Sequence, residues 1–123
     1  MLPSKFYPIV DDVAWVERLL PLGVTFIQYR NKDKPVEEVR PQIRRALELG
    51  REYGADIVIN DYWQVAIEEG ASWVHLGQSD LDGLDKAALK NAGIKLGTST
   101  HNHAELERAL SFDPDYVALG PIY

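Results

Sequence analysis

Short β-rich runs alternate with helical patterns along the whole chain, and this alternation constrains the fold more than any other feature. The runs are KFYPIV (5–10), VTFIQYR (24–30), ADIVIN (55–60), SWVHL (72–76), IKLGTS (94–99) and PDYVALG (114–120). Helical patterns fill the gaps at about 13–20, 35–53, 62–69, 84–91 and 102–110. The longest begins at Pro35 and carries Val36, Val39, Ile43, Ala46, Leu47 and Gly50 on one face, the spacing of an amphipathic helix. Gly54 stands where such a helix stops. Strand starts recur every 17 to 32 residues or so, enough for one β-plus-α unit each. The runs are apolar throughout, as strands of a parallel sheet covered on both faces are. YGADIVIN, EGASWVHL and NAGIKLGT read as one structural unit used three times. Pro8, inside the first run, suits an edge strand or a locally unpaired one.

Six parallel strands can form an open doubly wound sheet or part of a barrel. Polar residues cluster after nearly every strand: Gln28, Arg30 and Lys32; Asn60 and Asp61; His75, Gln78 and Asp80; Thr98, Ser99, Thr100 and His101; then Gly120. An open sheet concentrates its chemistry at one switch point, whereas a barrel draws on many strand ends. The pattern predicts an α/β fold of the TIM (β/α)8 barrel type, with about the first six strands present. Residues 1–123 would then be a single domain, the N-terminal three quarters of the barrel.

Composition narrows the function classes. The chain has 123 residues, 46% hydrophobic and 26% charged, and no cysteine, which excludes disulfides and thiolate metal sites. Its net charge is -6 and it has no dense basic patch, so a nucleic-acid partner is not expected. The start lacks the shape of a signal peptide, and no apolar run approaches membrane-spanning length. The expected location is cytoplasmic, with no membrane partner.

Several strand tips carry residues with two readings. Asp61 and Asp80 lie past neighbouring strands, where two carboxylates plus water suit a hard divalent ion such as magnesium. Strand-exit acids also cap the following helix, or are simply solvated. Gln28 and Arg30 share one side of their strand and Lys32 can continue it, with Val24 and Phe26 expected in the barrel centre. A phosphate group would satisfy these donors, and so would an internal Arg30–Asp61 pair. GTSTHN (97–102) offers hydroxyls ahead of a helix, which serve either a cap or a phosphate. His75 reads as a packed, hydrogen-bonded residue more than a chemical one. No HExxH, P-loop or GxGxxG occurs.

Taken together, these segments resemble the thiamine phosphate synthase family. YPIVDD is similar to its first strand and FIQYRNKDK to its Gln-x-Arg-x-Lys segment. DIVINDYWQVAIEEGASWVHLGQSDL carries the Asn-Asp pair and the His-Leu-Gly-Gln-x-Asp run in the family's order; IKLGTSTHN and YVALGPIY match the next two strand ends. The resemblance implies a TIM barrel and a transferase that joins 4-amino-2-methylpyrimidine methyl diphosphate to 4-methyl-5-(2-phosphoethyl)thiazole, giving thiamine monophosphate and pyrophosphate. It implies that Gln28, Arg30, Lys32 and Asn60, in a binding segment that includes Tyr29 and Asn31, hold the pyrimidine diphosphate. It implies that Asp61 and Asp80 bind Mg2+, that Ser99 meets the pyrimidine or the departing pyrophosphate, and that Arg30, Lys32 and Ser99 carry the catalysis. Its mechanism is dissociative, with pyrophosphate leaving before the thiazole nitrogen attacks. Relatives are often self-associated, which makes a homo-oligomer the expectation.

The chain departs from that pattern in places. Asn31 stands where many relatives have glutamate, and Tyr123 where phenylalanine is more usual. The family's Pro-Thr-x-Thr-Lys-like segment and the last two strand tips, which hold the thiazole phosphate, do not occur within residues 1–123. Competing expectations are a thiazole tautomerase-like barrel, which needs neither diphosphate clamp nor metal pair, and a non-catalytic phosphate-ligand-binding remnant of the synthase.

Overall fold

The computed structural model describes residues 8–31, 34–77, 81, 83–100, 102–112 and 114–119. Its elements are β1 (Ile9–Val10), α1 (Val13–Leu19), a 3-10 turn (Leu20–Leu22), β2 (Phe26–Tyr29), α2 (Val36–Tyr53), β3 (Asp56–Asn60), α3 (Trp63–Glu69), β4 (Trp73–Leu76), α4 (Lys86–Asn91), β5 (Lys95–Thr100), α5 (His103–Leu110) and β6 (Tyr116–Leu119). The second to sixth apolar runs become strands within two residues of their expected limits. Of the first run, only residues 8–10 are described, and Pro8 sits just before the strand with its carbonyl accepting the Gln28 N–H at 3.0 Å. The repeated unit also holds: Gly54, Gly70 and Gly93 end helices in the left-handed conformation, with φ of 67°, 79° and 72°.

All five strand pairs are parallel and the sheet runs in chain order, β1-β2-β3-β4-β5-β6. An unreversed order with right-handed crossovers sends every connecting helix to the same side. The other face then curls inward, which is the construction of a (β/α)8 barrel and not of a doubly wound sheet. The structure is thus a six-strand portion of that barrel. Among the described residues no helix is long and apolar enough to cross a membrane.

Strand alternation sorts the side chains into two layers. Ile27, Tyr29, Ile57, Ile59, Val74, Leu76 and Leu96 point outward and pack with Val16, Val39, Ile43, Leu47, Val65 and Leu89 of the helices. Phe26, Val58 and Trp73 point inward and form a separate cluster, with Tyr116 packed against it. Two expectations need correction. Val24 packs against the helix-side core instead of filling the barrel centre, because it precedes β2 and the strand alternation does not reach it. Val36, expected on the buried face of α2, occupies the helix's first position and is 41% exposed.

A charged tie joins α2 to α3. Arg44 holds the Glu69 carboxylate through Nε and Nη2 at 2.9 and 3.0 Å, and Arg40 reaches Glu69 and Glu68 at 3.0 and 2.9 Å. The Arg44 guanidinium, with Arg40 second, lowers the Glu69 pKa from its usual 4.5 to about 2. A depressed carboxylate stabilises the fold above its unfolded pKa, and that contribution disappears as pH falls through the folded value. Partial exposure of the arginines keeps the effect small. Glu69→Gln is expected to lower the Tm by a few degrees at pH 7. The gap should close between pH 4.5 and pH 2. A difference that persists undiminished at pH 2 would assign it to packing instead.

Candidate active site

The inward layer changes character along the strands. Its floor is aromatic: Phe26 meets Trp73 edge-on with centroids 5.2 Å apart, and Lys95 places Nζ 5.1 Å from the Trp73 ring centre. Toward the C-terminal strand ends the same face becomes polar. Gln28 is paired in register with Val58, which is paired with Trp73. One step higher, Asn60, His75, Gly97 and Tyr116 form a row across β3, β4, β5 and β6. Ser99 lies two residues further along β5, on the same face. Gln28, Asn60 and His75 are all buried, at 3%, 4% and 6% exposure. Buried polar groups cost free energy unless they are hydrogen-bonded. Asn60 Nδ2 has no protein partner among the described residues, so a buried donor here awaits an acceptor. The other such atom, Thr98 Oγ1, lies on the opposite, helix-facing side of β5.

His75 is fully engaged. Its Nδ1 is 2.7 Å from the Tyr116 hydroxyl and its Nε2 is 2.5 Å from Ser99 Oγ. Tyr116 reaches His75 across an intervening strand because Gly97 leaves the space. A Cβ at Gly97 would overlap Cζ, Cε2 and the hydroxyl oxygen of Tyr116.

Asp61 follows Asn60 at the tip of β3 with φ of 70°, the only non-glycine described residue in the left-handed region. Such a backbone costs about 1 kcal/mol or more for most residues, less for Asp and Asn. Its N–H donates to the His75 carbonyl at 3.0 Å, which fixes the tip of β3 against β4. The N-cap of α3 is Tyr62, not Asp61, and the Tyr62 side chain makes no capping bond. Asn102 caps α5 by accepting the Glu105 N–H at 2.9 Å, so the hydroxyls of GTSTHN are not the cap.

The binding segment of β2 divides by alternation. Gln28 faces inward and Arg30 lies exposed at the rim, beside Val10 and Asp11. Arg30 forms no salt bridge among the described residues, so the internal Arg30–Asp61 pair is not what holds it. Tyr29 points into the helix-side layer, where its hydroxyl donates to Gln42 Oε1 at 2.9 Å and accepts from Asn31 Nδ2 at 3.3 Å. Burial pushes its phenol pKa up. The Tyr29 and Asn31 side chains are thus bonded to each other, away from the barrel interior. Lys32, Asp80, Gln78, His101, Gly120 and Tyr123 lie outside the described residues.

Sequence reasoning missed several residues. Tyr116 and Gly97 entered it only as strand positions, and Gln42 did not enter at all. Tyr62 was also missed: its hydroxyl lies 2.8 Å from the Lys34 carbonyl and 3.2 Å from that of Asn31, and accepts the Lys34 N–H at 3.3 Å. It thereby ties the backbone of both Asn31 and Lys34 to the start of α3. The available signal was the period-2 alternation, which puts Tyr116 inward, but period alone does not show that it faces a glycine.

An oxygen-ligating divalent cation fits the donor chemistry at the β3 tip, where Asp61 offers a carboxylate beside the polar row. Asp61 is the one member of the expected Asp61–Asp80 pair that lies among the described residues. Among the described residues no group of three or more His, Asp or Glu converges into a metal cluster, although magnesium commonly takes only one or two carboxylates and completes its shell with water and phosphate oxygens.

Residues 6–123 match the family model described as thiamine monophosphate synthase. The thiamine-phosphate synthase of Rhizobium etli is 53% identical over 120 residues, covering 98% of this chain and 59% of that protein. That of Proteus mirabilis is 55% identical over 117 residues, covering 95% of this chain and 54% of the relative. The solved thiamine phosphate pyrophosphorylase of Pyrococcus furiosus superposes with a TM-score of 0.80 at 29% identity, over 95% of this chain and 60% of the other. The chain therefore spans between 54% and 59% of the length of these two curated relatives.

Proposed function

The chain belongs to the thiamine monophosphate synthase family, and on that premise we propose that it contributes the pyrimidine diphosphate half of a synthase site. The reaction is the Mg2+-dependent condensation of 4-amino-2-methylpyrimidine methyl diphosphate with 4-methyl-5-(2-phosphoethyl)thiazole. Residues 1–123 act in it as one domain, the N-terminal part of the barrel, in a cytoplasmic homo-oligomer. The observation that carries this reading is the buried polar row above an aromatic floor, with the Asn60 amide lacking an acceptor among the described residues next to a left-handed Asp61.

Each residue then has a physical task. The flat, partly apolar pyrimidine suits a pocket floored by Phe26 and Trp73 and edged by amide and hydroxyl groups. Gln28 and Asn60 supply donors and acceptors at its rim. Arg30 and Lys32 attract the diphosphate, and a guanidinium can hold phosphate oxygens through two N–H groups. Asp61 and Asp80 would hold Mg2+, which when bound offsets negative charge on the diphosphate. The bond between the pyrimidine methylene carbon and the diphosphate oxygen breaks with its electron pair leaving on pyrophosphate. The thiazole nitrogen lone pair then forms the new carbon–nitrogen bond. The aminopyrimidine stabilises the intervening cation, so no protein nucleophile is needed. Developing charge is greatest on the leaving group, which is where Arg30, Lys32 and the Ser99 hydroxyl are assigned.

Titration calorimetry tests the clamp. Arg30→Ala is expected to weaken the pyrimidine diphosphate about tenfold, the loss of one charge-assisted contact, and to weaken the thiazole phosphate less. Equal weakening of both ligands would overturn the assignment.

A further inference from the structure

Tyr116, His75 and Ser99 form a chain of hydrogen bonds whose direction can be read from acid–base chemistry. A neutral imidazole has one donor and one acceptor nitrogen. Each is engaged here, Nδ1 with Tyr116 at 2.7 Å and Nε2 with Ser99 at 2.5 Å. For the neutral ring two arrangements keep both bonds: either Tyr116 donates to Nδ1 and Nε2–H donates to Ser99, or Ser99 donates to Nε2 and Nδ1–H donates to Tyr116. A phenol is a stronger donor and a weaker acceptor than an aliphatic hydroxyl, because its proton is more acidic and its oxygen lone pair is delocalised into the ring. That favours the first arrangement, in which Nε2–H donates to Ser99 Oγ and the serine's own hydrogen points away from the imidazole.

The surroundings hold this geometry in place. His75 is 6% exposed, and its ring lies with its centroid 5.6 Å from that of Tyr116. Tyr116 also meets the Trp73 ring, with centroids 5.8 Å apart. Gly97, between them in register, admits the tyrosine ring.

We propose that Tyr116 and His75 are positioning residues that hold Ser99 as a hydrogen-bond donor toward an acceptor atom of the ligand in the barrel interior. This rests on the reading of that interior as the pyrimidine diphosphate site. His75, which in the sequence looked only structural, then acts on the ligand through Ser99 without touching it.

Two measurements test it. The first needs no ligand: two-bond nitrogen–proton NMR of the His75 imidazole should show the Nε2–H tautomer, and Tyr116→Phe should shift it toward a mixture of tautomers. An Nδ1–H tautomer, or an unchanged ring in Tyr116→Phe, would overturn the proposal. The second is a double-mutant cycle on the Kd for the pyrimidine diphosphate. Tyr116→Phe alone should weaken binding about fivefold, the size of one neutral hydrogen bond, and Ser99→Ala at least as much. In the Ser99→Ala background, Tyr116→Phe should add nothing. Additive losses would show that Tyr116 acts independently of Ser99 and would also overturn it. If the wild-type chain does not take up the diphosphate, the proposed substrate falls, and the tautomer measurement alone decides on the positioning pair.

Discussion

Asp61→Asn is expected to leave the fold intact while weakening Mg2+-dependent binding of the pyrimidine diphosphate about 100-fold. Two properties of the position separate these effects. The backbone there is left-handed, with φ of 70°, and asparagine tolerates that region as well as aspartate does. The substitution therefore removes the charge without disturbing the turn that ties β3 to β4. Losing a charged ligand to a divalent ion is worth about 3 kcal/mol, which corresponds to the factor of about 100. Asp61→Gly provides the complement. Glycine relieves the left-handed strain but gives the unfolded chain more freedom, so the two effects should nearly cancel in stability, yet it should lose the metal dependence just as asparagine does. The measurements are calorimetric titrations with and without Mg2+, alongside urea melts. Unchanged Mg2+ dependence in both variants would remove Asp61 from the metal seat. A large loss of stability in Asp61→Asn would instead mean that the carboxylate holds the fold.

Gly97→Val is expected to be the most damaging single substitution for stability in the barrel interior, at about 3 kcal/mol, the upper end of the usual cost of overpacking. A β-carbon at this position overlaps the hydroxyl end of the Tyr116 ring. A branched side chain adds further volume between two strands that cannot separate without losing their ladder. Tyr116 would have to leave His75 and the face of Trp73, so Trp73 fluorescence should change together with the urea midpoint. Two controls make the test specific. Gly83 has nothing within 4 Å of its missing Cβ, and Gly83→Ala should be near neutral. In a Tyr116→Ala background, where the obstructing ring is gone, Gly97→Val should cost much less. An unchanged penalty in that background would mean that the clash is with something other than the tyrosine.

Much of this architecture was legible before any coordinates, for physical reasons that differ by level. The strands announced themselves because a parallel sheet covered on both faces must be apolar nearly throughout. The helices did so because one face must recur every 3.6 residues, and Val39, Ile43, Ala46 and Leu47 do turn inward as that spacing requires. The choice of barrel over open sheet came from polar residues recurring at many strand ends, and the unreversed strand order agrees with it. Val24 and Val36 show where the reasoning weakened. Both lie at or beyond an element boundary, where periodicity no longer dictates direction. The likeness of FIQYRNKDK to a binding segment named a run of residues, but the two-residue period of β2 splits that run. It sends Gln28 inward and Tyr29 outward to Gln42.

Taken alone, the sequence determined the element types, the parallel α/β class and the side of the sheet on which the chemistry gathers, because each follows from local periodicity and chain connectivity. It also determined which residue types were available at the strand tips, and hence the family. The tertiary structure decided the rest. It put Asp61 in a left-handed turn, left the Asn60 amide buried without an acceptor among the described residues, and laid Tyr116 over Gly97 so that His75 bonds on both sides. These features depend on the register between strands whose paired residues, such as Asn60 and His75 or Gly97 and Tyr116, are far apart in the chain, and register is set by packing across the whole sheet, which no local pattern encodes.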